Sequence, residues 1–316
     1  MKKVLLATTA LAALAFAGTS HAQEAPISFS GSAEFGFGGV DTDTTTTESD
    51  FISNVELDVA FTGTADFGIS FSASASLSSD ENTIGGDAAF DGFTTVSSQE
   101  QFGTFSFGDT DDAFDSALQS VDSAGLNDAA DFYLAGDGGL DLDNDDGGRI
   151  LNWDYDFSFA AFHASFQEND GQDPFVPGPD GGDSSVYAFG LDGDFAGWNF
   201  GIAYEFGDEG GVEADAFGVS AAGSVGPIDL KGVYSFVDDA ATDETNSNFD
   251  ISAVYNFDPF QIGANYSYQE ATDANGYGGW VNYSLGGGLN FTAAVGTQDS
   301  DAGDETRYDF GFSFSF

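Results

Sequence analysis

Positive charge is nearly missing from this sequence. It has 5 Lys and Arg against 54 Asp and Glu, so the formal net charge is −49. A chain this acidic repels nucleic acids and anionic lipid headgroups, and it attracts cations. Nucleic acid is therefore excluded as a partner. The 34 Phe residues also exclude the class of disordered acidic chains, which are poor in aromatic residues.

Cysteine and long apolar segments are missing as well. The absence of Cys fits an exported protein that is not held together by disulfides. Beyond residue 22, no segment approaches the roughly 20 apolar residues of a transmembrane helix. The remainder of the chain is therefore either soluble or crosses a membrane as β-strands.

The first 22 residues have the pattern of a secretory signal peptide. Lys2 and Lys3 precede an apolar stretch over 4–17, and small residues at Ser20 and Ala22 predict cleavage between Ala22 and Gln23. The predicted division is a signal peptide over 1–22 and one β-barrel domain over 23–316. Beyond the signal peptide, the sequence has three basic residues, which are Arg149, Lys231 and Arg307.

Alternation of apolar and polar residues begins at Ile27 and recurs to the end of the chain. In Ile27 to Phe37 the odd positions are mostly apolar and the even positions mostly polar, which is typical of a strand with two unlike faces. Sixteen such segments can be counted, separated alternately by short turns and by long acidic connections such as Gly38 to Asp50. Strict alternation of this kind predicts an all-β, antiparallel, up-and-down barrel.

Alternation alone does not separate a membrane barrel from a soluble sandwich, because the two differ only in which face meets water. Aromatic residues gather at strand ends, as interfacial girdles do. Many segments are about nine to eleven residues long, as a tilted membrane strand requires. The last segment, Arg307 to Phe316, has an aromatic edge that closure of a barrel would pair. Together these features favour a transmembrane barrel.

The pattern resembles that of the general diffusion porins of the Gram-negative outer membrane, in particular the alphaproteobacterial type. The resemblance rests on the signal peptide, the sixteen-strand rhythm, the sequence Phe102-Gly103-Thr104-Phe105-Ser106-Phe107-Gly108 before a long third loop, and the terminal Phe316. It implies location in the outer membrane, contact with its lipid, a third loop folded into the lumen, and association as a homotrimer. It also implies that the assembly machinery binds the terminal strand through Phe316.

The third loop, residues 109–148, is the predicted constriction. Members of the family usually have arginines on the wall facing this loop, whereas Asp109 stands here where a basic residue is common. We expect a lumen potential of one sign, which concentrates cations and excludes anions. The predicted constriction and selectivity residues are Asp109, Asp111, Asp112, Asp115, Asp122, Asp128, Glu34, Glu56, Asp58, Lys231 and Arg307.

Within the loop, Asp141-Leu142-Asp143-Asn144-Asp145-Asp146-Gly147 resembles the start of a calcium-binding loop. The candidate ligands are Asp141, Asp143, Asp145 and Asp146, and the alternative is a solvated acidic turn. Gly147 lies one place later than in an EF-hand, and Asn152 stands where such a loop has Glu. No other cofactor is predicted.

The resulting expectation is passive diffusion of small hydrophilic solutes and ions, with a preference for cations. One alternative is a substrate-specific channel, for example for sugars, and the other is a non-conducting, calcium-binding surface β protein. No enzymatic activity is predicted. A hydrolase needs a nucleophile, a base and an orienting group placed together, whereas His163, the one histidine beyond the signal peptide, is expected to face inward as part of the pore lining.

Overall fold

The structure is a computed structural model. It describes residues 27–42, 45–65, 68–80, 89–126, 129–131, 149–169, 184–209, 212–239, 244–299 and 303–316. Its strands are β1 (Ile27–Thr42), β2 (Thr45–Thr64), β3 (Ser70–Asp80), β4 (Ala89–Gln99), β5 (Gly103–Gly108), β6 (Arg149–Asp156), β7 (Ala161–Asn169), β8 (Ser184–Phe195), β9 (Trp198–Glu209), β10 (Val212–Val225), β11 (Ile228–Asp239), β12 (Glu244–Phe257), β13 (Phe260–Gln269), β14 (Ala274–Gly286), β15 (Leu289–Asp299) and β16 (Glu305–Ser315). A short helix, α1 (Ala113–Ala117), follows β5, and a 3₁₀ turn (Glu270–Thr272) follows β13.

The strands form one closed antiparallel barrel, in which each strand pairs with its neighbours in sequence and β1 pairs with β16. The closing register runs from Ser32 opposite Ser315 to Thr42 opposite Glu305. Backbone bonds between Gly31 and Phe316, 3.1 Å in both directions, continue it. Closure removes the open edges that an aromatic terminal strand would otherwise expose. The predicted barrel of sixteen strands is confirmed.

The two faces of the strands differ in the way that the alternation predicts. Phe310 is 47% exposed and Phe314 is 40% exposed, and they lie on the outer face. The inner face includes polar residues such as Asp250, which is 1% exposed. A soluble sandwich would bury the phenylalanines and hydrate the polar face. Most large apolar side chains of the strands therefore point away from the barrel axis, and the inward positions are mainly polar or small.

Several strands are longer than the sequence predicts. The predicted connection Gly38 to Asp50 is wrong over most of its length, because β1 continues to Thr42 and β2 begins at Thr45, with Gly38 opposite Asp50. The physical reason is that the hairpin keeps its backbone pairing after both of its faces have become polar. The apolar alternation that marks a strand in the sequence is then lost.

Among the residues that the structure describes, no helix is long and apolar enough to cross a membrane.

Candidate functional site

The segment after β5 begins with a capped helix. The Asp112 carboxylate accepts hydrogen bonds from the backbone N–H groups of Phe114 at 2.8 Å and Asp115 at 2.9 Å, which are otherwise unpaired at a helix start. The helix α1 ends when Leu118 donates its N–H to the Phe114 carbonyl. Asp112 is therefore a structural cap, and its carboxylate is buried.

The apolar side of α1 packs against the inner wall. Phe114 is fully buried, and it clusters with Ala117, Leu118 and Val121. The wall contributes small apolar side chains at this place, which are Val186, Ala188, Ala203, Ala216 and Val233 on β8 to β11. Burying one phenylalanine stabilises a structure by roughly 1.5–3 kcal/mol. Phe114 thus holds the beginning of the segment against one side of the barrel.

Three wall serines bind the backbone of the same segment. Ser165 Oγ on β7 accepts from the N–H of Ala113, at 2.9 Å. Ser220 Oγ on β10 accepts from the N–H of Gln119, and Ser252 Oγ on β12 accepts from that of Asp122, both at 2.9 Å. Because these bonds are to backbone groups, they do not depend on the side chains of the segment.

Asp309 and Asn265 extend this attachment to the far side of the barrel. Asp309 Oδ2 on β16 accepts from the N–H of Leu126 at 2.9 Å and from that of Ala129 at 3.3 Å. Asn265 Nδ2 on β13 donates to the carbonyls of Asp122 at 3.2 Å and Ala130 at 2.9 Å. We call Ser165, Ser220, Ser252, Asn265 and Asp309 the anchor wall.

Glycines line the wall where the segment passes closest. A Cβ built at Gly201 would overlap the Ala117 carbonyl, and one at Gly218 would overlap the Leu118 side chain. The same holds at further inward positions, and the full set, the glycine track, is Gly36, Gly190, Gly201, Gly218, Gly278 and Gly311. Glycine at these positions allows the backbone of the segment to lie directly on the sheet.

A different part of the inner face carries three carboxylates. Glu34 on β1 and Glu56 and Asp58 on β2 form what we call the acidic wall. Ser76 Oγ lies 3.0 Å from Glu56 Oε1 and 2.9 Å from Asp58 Oδ1, and its single proton can serve one of them at a time. Asn54 Nδ2 lies 3.5 Å from Glu34 Oε2. Because these side chains are half-buried or exposed, their charges face water.

The closed antiparallel barrel has known relatives. A family model described as Gram-negative porin matches residues 7–303. The chain belongs to the Gram-negative porin family. The protein is thus an outer-membrane porin, which is a passive channel and not an enzyme.

Solved porin structures share the fold. A triple mutant of the Rhodopseudomonas blastica porin aligns with a TM-score of 0.67 and 20% identity, over 92% of this chain and 100% of that one. A mutant of the same porin with two substitutions gives a TM-score of 0.66 and 21% identity, with the same coverage. A comparison with curated proteins found no match.

The predicted site residues of this porin fall into separate places. Asp109 and Asp111 are exposed, Asp112 caps α1, and Asp115 is half-buried beside it. Glu34, Glu56 and Asp58 lie together. Asp128 and the candidate calcium ligands Asp141, Asp143, Asp145 and Asp146 lie outside the described residues. Within the described ranges, no group of three or more His, Asp or Glu is arranged to hold a metal ion.

The two basic site residues are both paired with carboxylates. Lys231 Nζ lies 2.9 Å from Asp122 Oδ1, and both side chains are 31% exposed. Arg307 Nε lies 2.6 Å from Glu305 Oε1. Lys231 therefore joins β11 to the segment after β5, and neither basic residue presents a bare positive charge to a passing ion.

The anchor wall serines were not among the predicted site residues. A serine on the polar face of a strand has the same sequence pattern whether it binds water or another part of the chain, so no local signal identifies Ser165, Ser220 or Ser252. His163 was expected to face inward and does, but its partners were not foreseen. Its Nδ1 lies 2.7 Å from Asp154 Oδ1, and its Nε2 lies 3.0 Å from Asp192 Oδ1.

Proposed function

We propose that this porin lets small hydrophilic solutes and ions diffuse through a lumen that prefers cations. The observation that carries the proposal is the acidic wall, in which three carboxylates lie together, face water and accept hydrogen bonds from neutral hydroxyl and amide groups. Like charges in a narrow passage with low-dielectric walls concentrate counter-ions and exclude co-ions. The pairing of Lys231 with Asp122 supports the proposal, because it neutralises one of the few basic side chains.

We propose further that residues 109–148 form the constriction. The contacts of residues 112–126 and 129–130 with the anchor wall and the glycine track support this part, since they involve β7 to β10, β12 to β14, β16 and β1. A segment attached on so many sides has a fixed position, which a size limit for solutes requires.

Four additional proposals follow: the resemblance to general diffusion porins supports the first two, the pattern of residues 1–22 supports the third, and the resemblance of 141–147 to a calcium-binding loop supports the fourth. Three barrels associate as a homotrimer in outer-membrane lipid. The outer-membrane assembly machinery binds the terminal strand through Phe316, and the signal peptide is removed after Ala22. Ca²⁺ bound by Asp141, Asp143, Asp145 and Asp146 would offset repulsion within the acidic loop. Measuring conductance with and without Ca²⁺ tests the last of these.

Reversal potentials test the ion preference. The purified porin is inserted into a planar bilayer between solutions of high and low KCl, and we expect a potential of the sign set by K⁺ permeation. The preference should fade with added salt, because the Debye length falls from about 8 Å at physiological ionic strength to about 3 Å at 1 M. A potential of the sign set by chloride would refute the proposal.

A further inference from the structure

Near the short-turn end of the barrel, side-chain amides form a continuous hydrogen-bonded chain across the inner wall. Thr292 Oγ1 on β15 donates to Asn282 Oδ1 on β14 at 2.9 Å, and Asn282 Nδ2 donates to Gln261 Oε1 on β13 at 3.0 Å. Gln261 Nε2 then donates to Asn256 Oδ1 on β12 at 3.0 Å. We call Asn256, Gln261, Asn282 and Thr292 the amide belt.

The belt has a defined direction, because it ends on a carboxylate. Asn256 Nδ2 donates to Asp229 Oδ2 at 2.6 Å, and Ser224 Oγ donates to Asp229 Oδ1 at 2.6 Å. An ionised carboxylate only accepts, so the NH₂ group of Asn256 must face Asp229. Each following amide is then oriented in turn, and aligned hydrogen bonds in such a chain polarise one another.

Each amide in the belt keeps part of its hydrogen-bonding capacity. A side-chain amide has two N–H groups and an oxygen with two lone pairs, and the belt uses one N–H and one lone pair of each. The remaining groups border a concavity of about 490 Å³, which Asn290 and Ser313 also line. This volume is within the range of pockets that bind small molecules.

The lining of the concavity selects the class of solute. None of its lining residues is basic, so an anion would find no counter-charge. Asp229 has both carboxylate oxygens engaged, and Asp258, on the turn, is the one acidic lining residue. Part of the lining is apolar, since Phe257, Pro259 and Phe260 also border the concavity. A wholly apolar molecule would nevertheless displace water from the amides and hydroxyls without replacing its hydrogen bonds. A neutral molecule with several hydroxyl groups, each able to donate and accept, matches the remaining groups.

We propose that the amide belt is a binding site for uncharged polyhydroxylated solutes of the size of a mono- or disaccharide. The inference deepens the proposed function, on which it rests for the arrival of the solute through the lumen. Binding is weak, because a channel site must also release its solute. The belt would retain neutral solutes briefly, whereas the acidic wall acts on ions.

Sugar-dependent conductance tests the inference. The porin is held in a planar bilayer in 1 M KCl, which screens its ion preference, and sucrose is added at increasing concentration. We expect the conductance to fall along a saturating curve. In a variant with Gln261→Met and Asn282→Leu, the half-saturating sucrose concentration should rise at least about fivefold, since both amides lose their polar groups. An equal, linear fall with sucrose in both proteins would overturn the inference.

Asn199→Leu provides the matched control. Asn199 is also an inward amide near the short turns, but it lies on β9, outside the belt, where it donates to Asp192 at 3.0 Å. Its sucrose curve should equal that of the unmodified porin, and a shift as large as that of the double variant would contradict the inference.

If the double variant does not insert into the bilayer, it is replaced by Thr292→Val, which removes one hydroxyl at nearly constant side-chain size. Chloride preference without sugar would refute the ion proposal while leaving the sugar result intact.

Discussion

The anchor wall and the acidic wall both consist of polar residues on the inner face of the barrel, but they bind different things. The anchor wall uses neutral hydroxyls, an amide and one buried carboxylate to hold backbone groups at 2.9–3.3 Å. The acidic wall has carboxylates that accept hydrogen bonds from neutral hydroxyl and amide groups and that also face water. One wall fixes a segment of the chain, and the other leaves its charge available to mobile ions.

Under the proposed function, this difference would separate size selection from ion selection. Each neutral hydrogen bond to the backbone contributes about 0.5–1.5 kcal/mol, and it depends little on salt. The attraction of an exposed carboxylate for a cation is screened within about 3 Å at 1 M salt. The solute size limit should therefore stay constant over salt concentrations at which the ion preference disappears.

Neutralising the acidic wall should have the largest effect. We expect the ratio of K⁺ to Cl⁻ permeability at low salt to fall several-fold in the triple variant that combines Glu34→Gln, Glu56→Gln and Asp58→Asn. A carboxylate about 4 Å from a cation in water contributes about 1 kcal/mol, which is about a fivefold change in local concentration. Reversal potentials in a dilute KCl gradient measure the ratio.

The matched control removes the same charge from the other face of the strands. Asp41, Asp238 and Asp299 are exposed and point outward near the long connections, on the same sides of their strands as Phe35, Tyr234 and Val295. Changing all three to Asn should alter the permeability ratio much less. An equal loss in both triple variants would mean that total charge, and not the acidic wall, sets the preference.

The Asp309→Ala substitution should have an effect of intermediate size. It should loosen the attachment of the segment after β5 and leave the ion preference unchanged. Asp309 is 2% exposed, and its removal leaves the N–H groups of Leu126 and Ala129 without this acceptor. Hydrogen bonds to charged groups contribute roughly 1.5–3 kcal/mol each, and the serines and Asn265 would still hold the rest of the segment. We expect larger fluctuations of the open-channel current and admission of larger polymers in partitioning experiments.

Ser235→Ala is the control for this anchor. Ser235 is fully buried on the same face, and its hydroxyl has no hydrogen-bond partner in the described part of the chain. Its replacement should leave the current trace unchanged. If Asp309→Ala folds and its open-channel current is also unchanged, the anchor wall does not fix the pore size.

Lys231→Met should have the smallest effect. The pair with Asp122 is partly exposed, and such pairs contribute about 0–1 kcal/mol. The size limit should hardly change, because Ser252 still binds the Asp122 backbone. Cation preference at low salt should rise slightly, as the Asp122 carboxylate is released. A clear fall in cation preference would contradict this assignment.

The sequence predicted the faces of the strands better than their ends. Alternation from Ile27 to Phe37 identifies which residues point outward, because a membrane imposes one strict contrast on every strand. Toward the long connections that contrast ends while pairing continues, as Gly38 opposite Asp50 shows. Strand length there is set by backbone hydrogen bonds, in which every residue can accept and every residue other than proline can donate.

Within the site, charge was easier to predict than contact. The sequence shows Glu34, Glu56 and Asp58 as acidic residues at inward-facing positions of the alternation, and in the structure they lie together. The roles of Asp112 as a helix cap and of Ser220 as a backbone acceptor depend on where the segment after β5 passes. That path joins residues about a hundred positions apart, a separation over which local patterns contain no information.

The glycine track has a consequence for how such channels diverge. A methyl group gained at Gly201 or Gly218 would fill space that the segment now uses, so the segment would have to move toward the barrel axis. Mutation from glycine to alanine, far from the loop in sequence, would then narrow the passage and leave every charge in place. Descendants of one ancestral barrel can in this way come to exclude different solute sizes while they inherit the same preference for ions.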